Sequence, residues 1–234
     1  MSSPEESCTG RRRTEEYSKE DCYGADGDKD MSMSFEILPT KRKMISCDEI
    51  VKCSTQLFRR FLNKEKILHN INIITKEVTE NNEVHISPAI LTLKENFYTV
   101  FNLNEEGEAY VFYHKLTKLD KDFWNEEIQN NNRAYSLREK IDANLKVGYF
   151  WSVKRTIGQP DIVNLYYGYL AIAIAVLTDG IIYSDDGAWD YSRLPAEGKA
   201  FQEEYLKIES ISDAIVKDNV EKWLSELKVK WVQE

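Results

Sequence analysis

The chain has 234 residues, of which 42% are hydrophobic, and its formal net charge at pH 7 is −9. This apolar content is enough for a packed core, which excludes a protein that is disordered throughout. The negative charge would repel a polyanion, so the composition argues against nucleic acid as the partner and favours a basic protein.

Cysteine and histidine usage argues against a metal or redox role. The four cysteines (Cys8, Cys22, Cys47 and Cys53) form no Cys-x-x-Cys pair, and no histidine lies near them at metal-ligand spacing. We therefore expect neither a structural zinc ion nor a cofactor. The first residues lack the apolar segment of a secretory signal and no disulfide framework is evident, so we expect a protein of the reducing cytoplasm.

Residues 1–34 differ in composition from the rest of the chain. They contain nine acidic and five basic residues and almost no aliphatic side chains. Such a segment cannot bury enough apolar surface to offset the entropy that it would lose on ordering. We therefore predict a flexible acidic tail over residues 1–34 and a single folded domain over residues 35–234.

The first part of the predicted domain contains one helix and four strands. Ser46 precedes Cys47-Asp48-Glu49 and an apolar pattern of helical period, which predicts a helix that starts beside this serine. Strand-like runs follow at residues 67–78, 83–93, 97–103 and 109–116. The turn-rich joints between them predict a meander of antiparallel hairpins, and Pro88 marks the second run as an edge strand or a bulge.

The second part of the domain is richer in helix. The pattern predicts an exposed helix at 133–145, a strand at 147–155, a buried helix at 162–178 and amphipathic helices at 196–206 and 212–231. The buried face of the last helix is expected to contain Ile215, Val220, Trp223, Leu224 and Leu227. This order of elements predicts an α+β fold: a mainly antiparallel sheet with helices packed on one face, as a two-layer sandwich.

The predicted buried helix, Ile162 to Thr178, contains no charged residue. A membrane span needs about 20 apolar residues, and this segment is shorter and includes three tyrosines. We therefore interpret it as a core helix enclosed by other elements, and expect no membrane association. Gly168, Ala171 and Ala175 form a smooth stripe that would let the helix lie close against a strand.

An acidic and aromatic segment follows this helix. Gly180 ends the helix, Ile181-Ile182-Tyr183 has strand propensity, and Asp186-Gly187 is a strong signal for a two-residue turn. Residues 188–191 would then form the returning limb of a hairpin.

Three kinds of site are open for this hairpin. Asp185, Asp186 and Asp190 could supply oxygen ligands to Mg²⁺ or Ca²⁺, or two of them could act as general acid and base. Alternatively, the segment is a recognition surface for a protein, whose residues are Tyr183, Asp185, Asp186, Trp189, Asp190 and Tyr191. The aspartates can also serve only to shape the turn, in which case Lys154, Arg155 or Arg193 could neutralise Asp179, Asp185 or Asp190, and an ion pair with Arg155 is the simplest arrangement.

The segments Gly148-Tyr149-Phe150-Trp151, Gly158-Gln159-Pro160 and Leu177 to Tyr191 resemble bacterial immunity proteins, which are encoded beside polymorphic or contact-dependent toxins. The resemblance covers Gly148 to Tyr205, about a quarter of the chain. It implies a cytoplasmic inhibitor that is not an enzyme and that occludes the active site of one toxin domain. It supplies no catalytic residues.

Two other functions stay open on the sequence alone. One is a small hydrolase or nucleotide-processing enzyme with a divalent metal held by the hairpin carboxylates. The other is a ligand-sensing or scaffold domain in which the hairpin only closes the fold. The sequence does not indicate an oligomeric state.

Overall fold

The computed structural model describes residues 32–231, so most of the predicted tail lies outside the described residues. The strands are β1 (Ser32–Leu38), β2 (Ile73–Val78), β3 (Val84–Ile86), β4 (Tyr98–Leu103), β5 (Gly107–Lys115), β6 (Tyr149–Thr156), β7 (Ile181–Tyr183) and β8 (Ala196–Glu197). The helices are α1 (Cys47–Lys64), α2 (Lys118–Asn130), α3 (Asn132–Ser136), α4 (Arg138–Val147), α5 (Asp161–Leu177), α6 (Gly198–Glu204) and α7 (Ala214–Trp231).

The eight strands form one sheet in the order β3-β2-β4-β5-β6-β1-β7-β8, with antiparallel neighbours. Helices pack on this sheet, so the predicted α+β class is confirmed. The predicted meander is wrong at one point, because β4 pairs with β2 and not with β3. This leaves β3 at the edge of the sheet, as Pro88 indicated.

Strand β1 lies between β6 and β7 in the sheet, although it is the first strand of residues 32–231. Its register with β6 runs from Ser32↔Thr156 to Ile37↔Trp151. The folded part therefore begins earlier than the predicted boundary at residue 34, since β1 starts at Ser32. The first residues of β1 have no strand pattern of their own, and pairing with β6 supplies their extended conformation.

Helix α5 is buried on all sides. Every residue from Ile162 to Ala175 is buried. The Tyr167 ring lies 5.0 Å from that of Phe35 on β1, and Tyr166 Oη lies 2.8 Å from Ser54 Oγ on α1. The prediction of a core helix is thus confirmed. Among residues 32–231, no helix has the length and apolarity that a membrane crossing requires.

The small residues Gly168 and Ala175 of α5 pack against α6 and the residue that follows it. The prediction that this stripe lies against a strand is therefore wrong. A methyl group at Gly168 would overlap the ring of Tyr205, which follows α6. A methyl group at Gly198, the first residue of α6, would lie 2.8 Å from Ala175 Cβ. The stripe therefore allows α6 and its C-terminal end to approach α5 closely.

Helix α2 lies on the opposite face of the sheet from α5. Tyr183 pairs with Glu36, and side chains alternate along a strand, so both project away from the face that holds Phe35. Trp124 of α2 packs there against Tyr183, with ring centroids 5.0 Å apart. The single helix predicted at 133–145 is divided into α3 and α4, and α2 precedes it in a segment for which no helix was predicted.

The buried face of α7 contains Val220, Leu224 and Leu227 as predicted, and Trp223 is half-buried, but its first position differs from the prediction. Val216, Val220, Leu224 and Leu227 are buried. Ile215, which was expected in the core, is 74% exposed. The helix begins at Ala214, and this places the first inward position at residue 216.

Candidate functional site

The predicted hairpin is a strand followed by an irregular loop. β7 forms as predicted, and Gly187 has a φ of 82°, a conformation that glycine adopts without strain. Residues 188–191 do not form a returning strand, and β8 starts only at Ala196. Asp186 and Asp190 instead tie the loop to two other parts of the chain.

Asp186 fastens the loop to the beginning of β1. Its Oδ2 accepts hydrogen bonds from the backbone N and the hydroxyl of Ser34, both at 2.7 Å. Its Oδ1 accepts from Ser184 Oγ at 3.0 Å and from the backbone N of Ala188 at 3.1 Å. Four donors on one carboxylate fix its position at the surface and occupy the lone pairs that a metal ion would use.

Asp190 connects the loop to the segment before α7. Its Oδ1 accepts from Ser192 N at 3.1 Å and Ser192 Oγ at 2.7 Å, and its Oδ2 accepts from Ser212 N at 2.6 Å and Ser212 Oγ at 2.7 Å. Burial raises the pKa of this carboxyl, but the hydrogen bonds from Ser212 and Ser192 outweigh burial and hold the pKa below its ordinary value. Asp190 is therefore a charged structural group at neutral pH.

The six residues predicted to bind a partner fall into two groups. Tyr183, Trp189 and Asp190 are buried, with exposed fractions of 2%, 3% and 2%. Asp185, Asp186 and Tyr191 are exposed. The prediction placed all six residues on one surface because it assumed a regular hairpin. The segment after β7 is irregular instead, and three of the six residues are buried.

The buried aromatic members of the set are part of the core. The Trp189 ring lies 4.7 Å from that of Tyr205 and 6.0 Å from that of Phe201. Tyr183 packs against Phe123 and Trp124, and burial raises the pKa of its hydroxyl far above the ordinary value. In this conformation these two rings hold the loop and do not contact solvent.

The metal hypothesis gains no support from this loop. Within residues 32–231, no three or more His, Cys, Asp or Glu side chains are grouped so that they could hold a metal ion. Asp186 and Asp190 accept hydrogen bonds from serine and backbone donors, as described above. A general acid–base pair would also require carboxyls that are less fully bonded.

The expected ion pairs of Arg155 do not form. Asp179 pairs with Lys140 at 2.7 Å and with Lys41 at 3.7 Å, and these contacts lower the pKa of Asp179 despite partial burial. Asp190 is held by serines. Among residues 32–231, no ion pair joins Arg155 to a carboxylate.

A strip of aromatic side chains crosses the second face of the sheet. Tyr98 on β4 lies opposite Phe112 on β5, with ring centroids 5.1 Å apart, and the Tyr110 ring lies 6.1 Å from that of Tyr98. All three rings are half-buried. We call Tyr98, Tyr110 and Phe112 the aromatic strip. Lys154 on β6 places Nζ 5.3 Å from the Phe112 centroid, a cation–π contact.

The aromatic strip is continuous with the exposed part of the loop. Lys154 is the register partner of both Tyr110 on β5 and Ser34 on β1. Ser34 in turn donates two hydrogen bonds to Asp186. One surface therefore carries aromatic rings at its centre and carboxylates at its edge. Aromatic contact area with a charged rim is typical of protein-binding surfaces.

His114 lies beyond the aromatic strip, towards α2, and is neutral at physiological pH. Its Nε2 lies 2.8 Å from Ser152 Oγ. Burial and then the charge of Lys154 lower the pKa of this histidine to about 4, although Asp120 and Glu95 act in the opposite direction. The uncharged imidazole keeps this part of the surface apolar.

Acidification is expected to destabilise the protein through His114. From its ordinary pKa of 6.5 down to about 4, the unfolded chain binds a proton here that the folded chain does not, so stability falls as the pH falls. In a His114→Gln variant this contribution is absent, so the variant should lose about 2 kcal/mol less stability than the native protein between about pH 7 and pH 4.5. Urea denaturation at the two pH values measures the difference, and equal losses would contradict the assignment.

By its fold and this surface, the chain is an α+β protein with one wide antiparallel sheet, a buried central helix and an aromatic strip on the sheet. Comparisons with protein-family models, curated proteins and solved structures found no match.

Proposed function

We propose that this chain is an inhibitor of the immunity-protein type, which binds a basic toxin domain in the cytoplasm and occludes its active site. The observation that carries the proposal is the aromatic strip with its acidic edge. Its half-buried rings offer contact area that a partner could remove from water. The resemblance of the segment from Gly148 to Tyr205 to immunity proteins is consistent with this function.

Charge supports a basic partner. The chain has a net charge of −9, and Asp185 and Asp186 are exposed beside the strip. Opposite charges on two partners increase the rate of encounter and favour one orientation. Because four hydrogen bonds already hold Asp186 in place, this side chain would lose little conformational entropy on binding.

The hydrogen bonds of the loop between β7 and β8 agree better with a protein-binding role than with metal-dependent hydrolysis. The carboxylates that hydrolysis would need are engaged in hydrogen bonds that shape the loop. The half-buried rings of the aromatic strip leave apolar area that a protein partner could cover.

The test is co-expression with the protein encoded by the neighbouring gene. The proposal predicts a one-to-one complex that protects cells from the toxicity of that protein and that weakens as salt is added. If co-expression gives no complex and no protection, the proposal is contradicted.

Substitutions locate the surface. We expect Tyr98→Ala and Phe112→Ala each to weaken binding about tenfold or more, since aromatic anchors carry most of the energy in such interfaces. Asp185→Lys should mainly slow association, and it is a cleaner probe than a change at Asp186, which holds the loop. Glu80→Lys, an equal change of charge at the exposed β2–β3 turn, is the matched control and should bind normally. Equal losses in all four variants would show that the strip is not the interface.

A further inference from the structure

Arg155 is a cation in the interior of the protein. It lies on β6 opposite Met33 of β1 and is only 4% exposed. Its Cζ lies 4.9 Å from the ring centroid of Tyr167 on α5 and 5.1 Å from that of Trp223 on α7. Two aromatic rings thus wall the guanidinium and contribute cation–π attraction.

The guanidinium interacts with the Tyr167 hydroxyl through its charge and a side-chain hydrogen bond, and the rest of its hydrogen-bonding capacity is poorly used. Nη2 donates to Met33 Sδ at 3.2 Å, and a thioether is a weak acceptor. Nε is buried without a hydrogen-bond partner. As shown above, no carboxylate of residues 32–231 forms an ion pair with it. Among residues 32–231 this buried charge therefore has no counter-charge, a strongly destabilising arrangement that an anion bound beside Arg155 would relieve.

A small crevice lies beside Arg155. It is lined by Met33, Arg155, Gly187, Ala188, Trp189 and Trp223, among others. Its free volume is about 10 Å³, which is close to the space of a single water-sized group. The space admits one oxygen atom of an anion and no whole carboxylate, phosphate or sulfate group. One oxygen of a planar carboxylate fits, and carboxylate is the natural partner of the guanidinium fork.

We propose that this crevice is a binding site for a single carboxylate group, one oxygen of which accepts hydrogen bonds from Arg155. The crevice opens beside Gly187, where a side-chain position would meet no atom within 4 Å. The loop that forms its rim is fixed by Asp186, whose own oxygens bond to Ser34, Ser184 and Ala188. This site is separate from the aromatic strip, since Arg155 and Lys154 are neighbours on one strand and project to opposite faces.

Thermal unfolding in sodium acetate, compared with sodium chloride at equal ionic strength, tests the site. At ten times the dissociation constant, acetate should raise the Tm of the native protein by about 4 °C over chloride. In Arg155→Met the acetate effect should disappear, while the Tm in chloride is equal to or above that of the native protein. Lys154→Met, which removes a neighbouring positive charge on the other face, is the matched control and should keep the acetate effect.

Several results would overturn the proposal. An equal Tm of the native protein in acetate and chloride would do so, as would an acetate effect that persists in Arg155→Met. If Arg155→Met does not fold, the ¹⁵N resonance of Arg155 Nε in the native protein decides. The proposal requires that acetate shift this resonance and that chloride not do so.

The source of the carboxylate is distinguished by a second series of probes. Formate, acetate and butyrate represent free short-chain acids, and N-acetyl-glutamate amide represents an acidic side chain of a polypeptide. An effect of the free acids that decreases with chain length indicates a small-molecule ligand. An effect that is largest for the glutamate derivative indicates a polypeptide carboxylate. No effect of any of the four overturns the proposal.

Discussion

Replacing Gly168 by alanine is expected to lower the free energy of unfolding by about 3 kcal/mol, the upper part of the range for overpacked cores. A methyl group at this position would overlap the Tyr205 ring. That ring cannot move aside easily, because its hydroxyl donates to the Leu165 carbonyl at 3.1 Å and its faces contact Trp189 and Phe201. Urea denaturation followed by circular dichroism measures the loss.

Helix propensity alone predicts the opposite sign. Glycine in the interior of a helix is about 1 kcal/mol less favourable than alanine, so the same substitution should stabilise α5 if only propensity counted. A double-mutant cycle with Tyr205→Ala separates the two effects. When the ring is absent, Gly168→Ala should cost much less or become stabilising. A neutral or stabilising effect in the native background would show that α5 and Tyr205 are not in close contact.

Replacing Trp189 by alanine is expected to cost about 3–5 kcal/mol, as truncation of a buried tryptophan does. The indole is 3% exposed and packs against Tyr205 and Phe201. It therefore anchors the loop between β7 and β8 to the core. Thermal and urea unfolding measure the effect.

Trp189→Phe is the matched comparison for this change. Phenylalanine keeps a ring in the same place, so the loss should be clearly smaller than for alanine. Asp185 lies in the same loop and is exposed, so Asp185→Ala should leave the free energy of unfolding within about 0.5 kcal/mol. If Trp189→Ala leaves stability unchanged, the indole belongs to a surface, as the sequence interpretation had it.

The elements with a local signal could be predicted from the sequence. The capping box at Ser46, which the structure shows bonded to Glu49 in both directions, marks the start of α1. The uncharged run from Ile162 predicts α5 because a helix enclosed on all sides has no polar face. In each case a short stretch of chain contains the information, and long-range contacts only reinforce it.

The elements that depend on distant partners could not be predicted. β1 begins with Ser-Met-Ser and is extended because β6 and β7 lie on either side of it. The returning limb after Gly187 has the residues of a hairpin, but Asp186 bonds to Ser34, 152 positions away. The local sequence shows the turn signal at Asp186-Gly187, but it does not show the contact between Asp186 and Ser34 that prevents a regular hairpin.

The aromatic strip could be predicted only in part from the sequence, because its composition depends on the register between β4 and β5. Tyr110 and Phe112 are two residues apart and thus share one face of β5. The contribution of Tyr98 depends on its position opposite Phe112, which follows from the pairing of β4 with β5. The run of aromatic residues was visible, but the side of the sheet that it occupies was not.

The place of β1 in the sheet has a consequence for the order in which the protein can form on the ribosome. Strand β1 is synthesised well before its partners and must wait for them, since Ser32 pairs with Thr156 and Leu38 with Ile181. Until then β2 to β5 can already pair with one another, while the first strand has no place to dock. Nascent chains that stop before Tyr183 are therefore expected to expose an open sheet edge, the state in which a chaperone would be needed most.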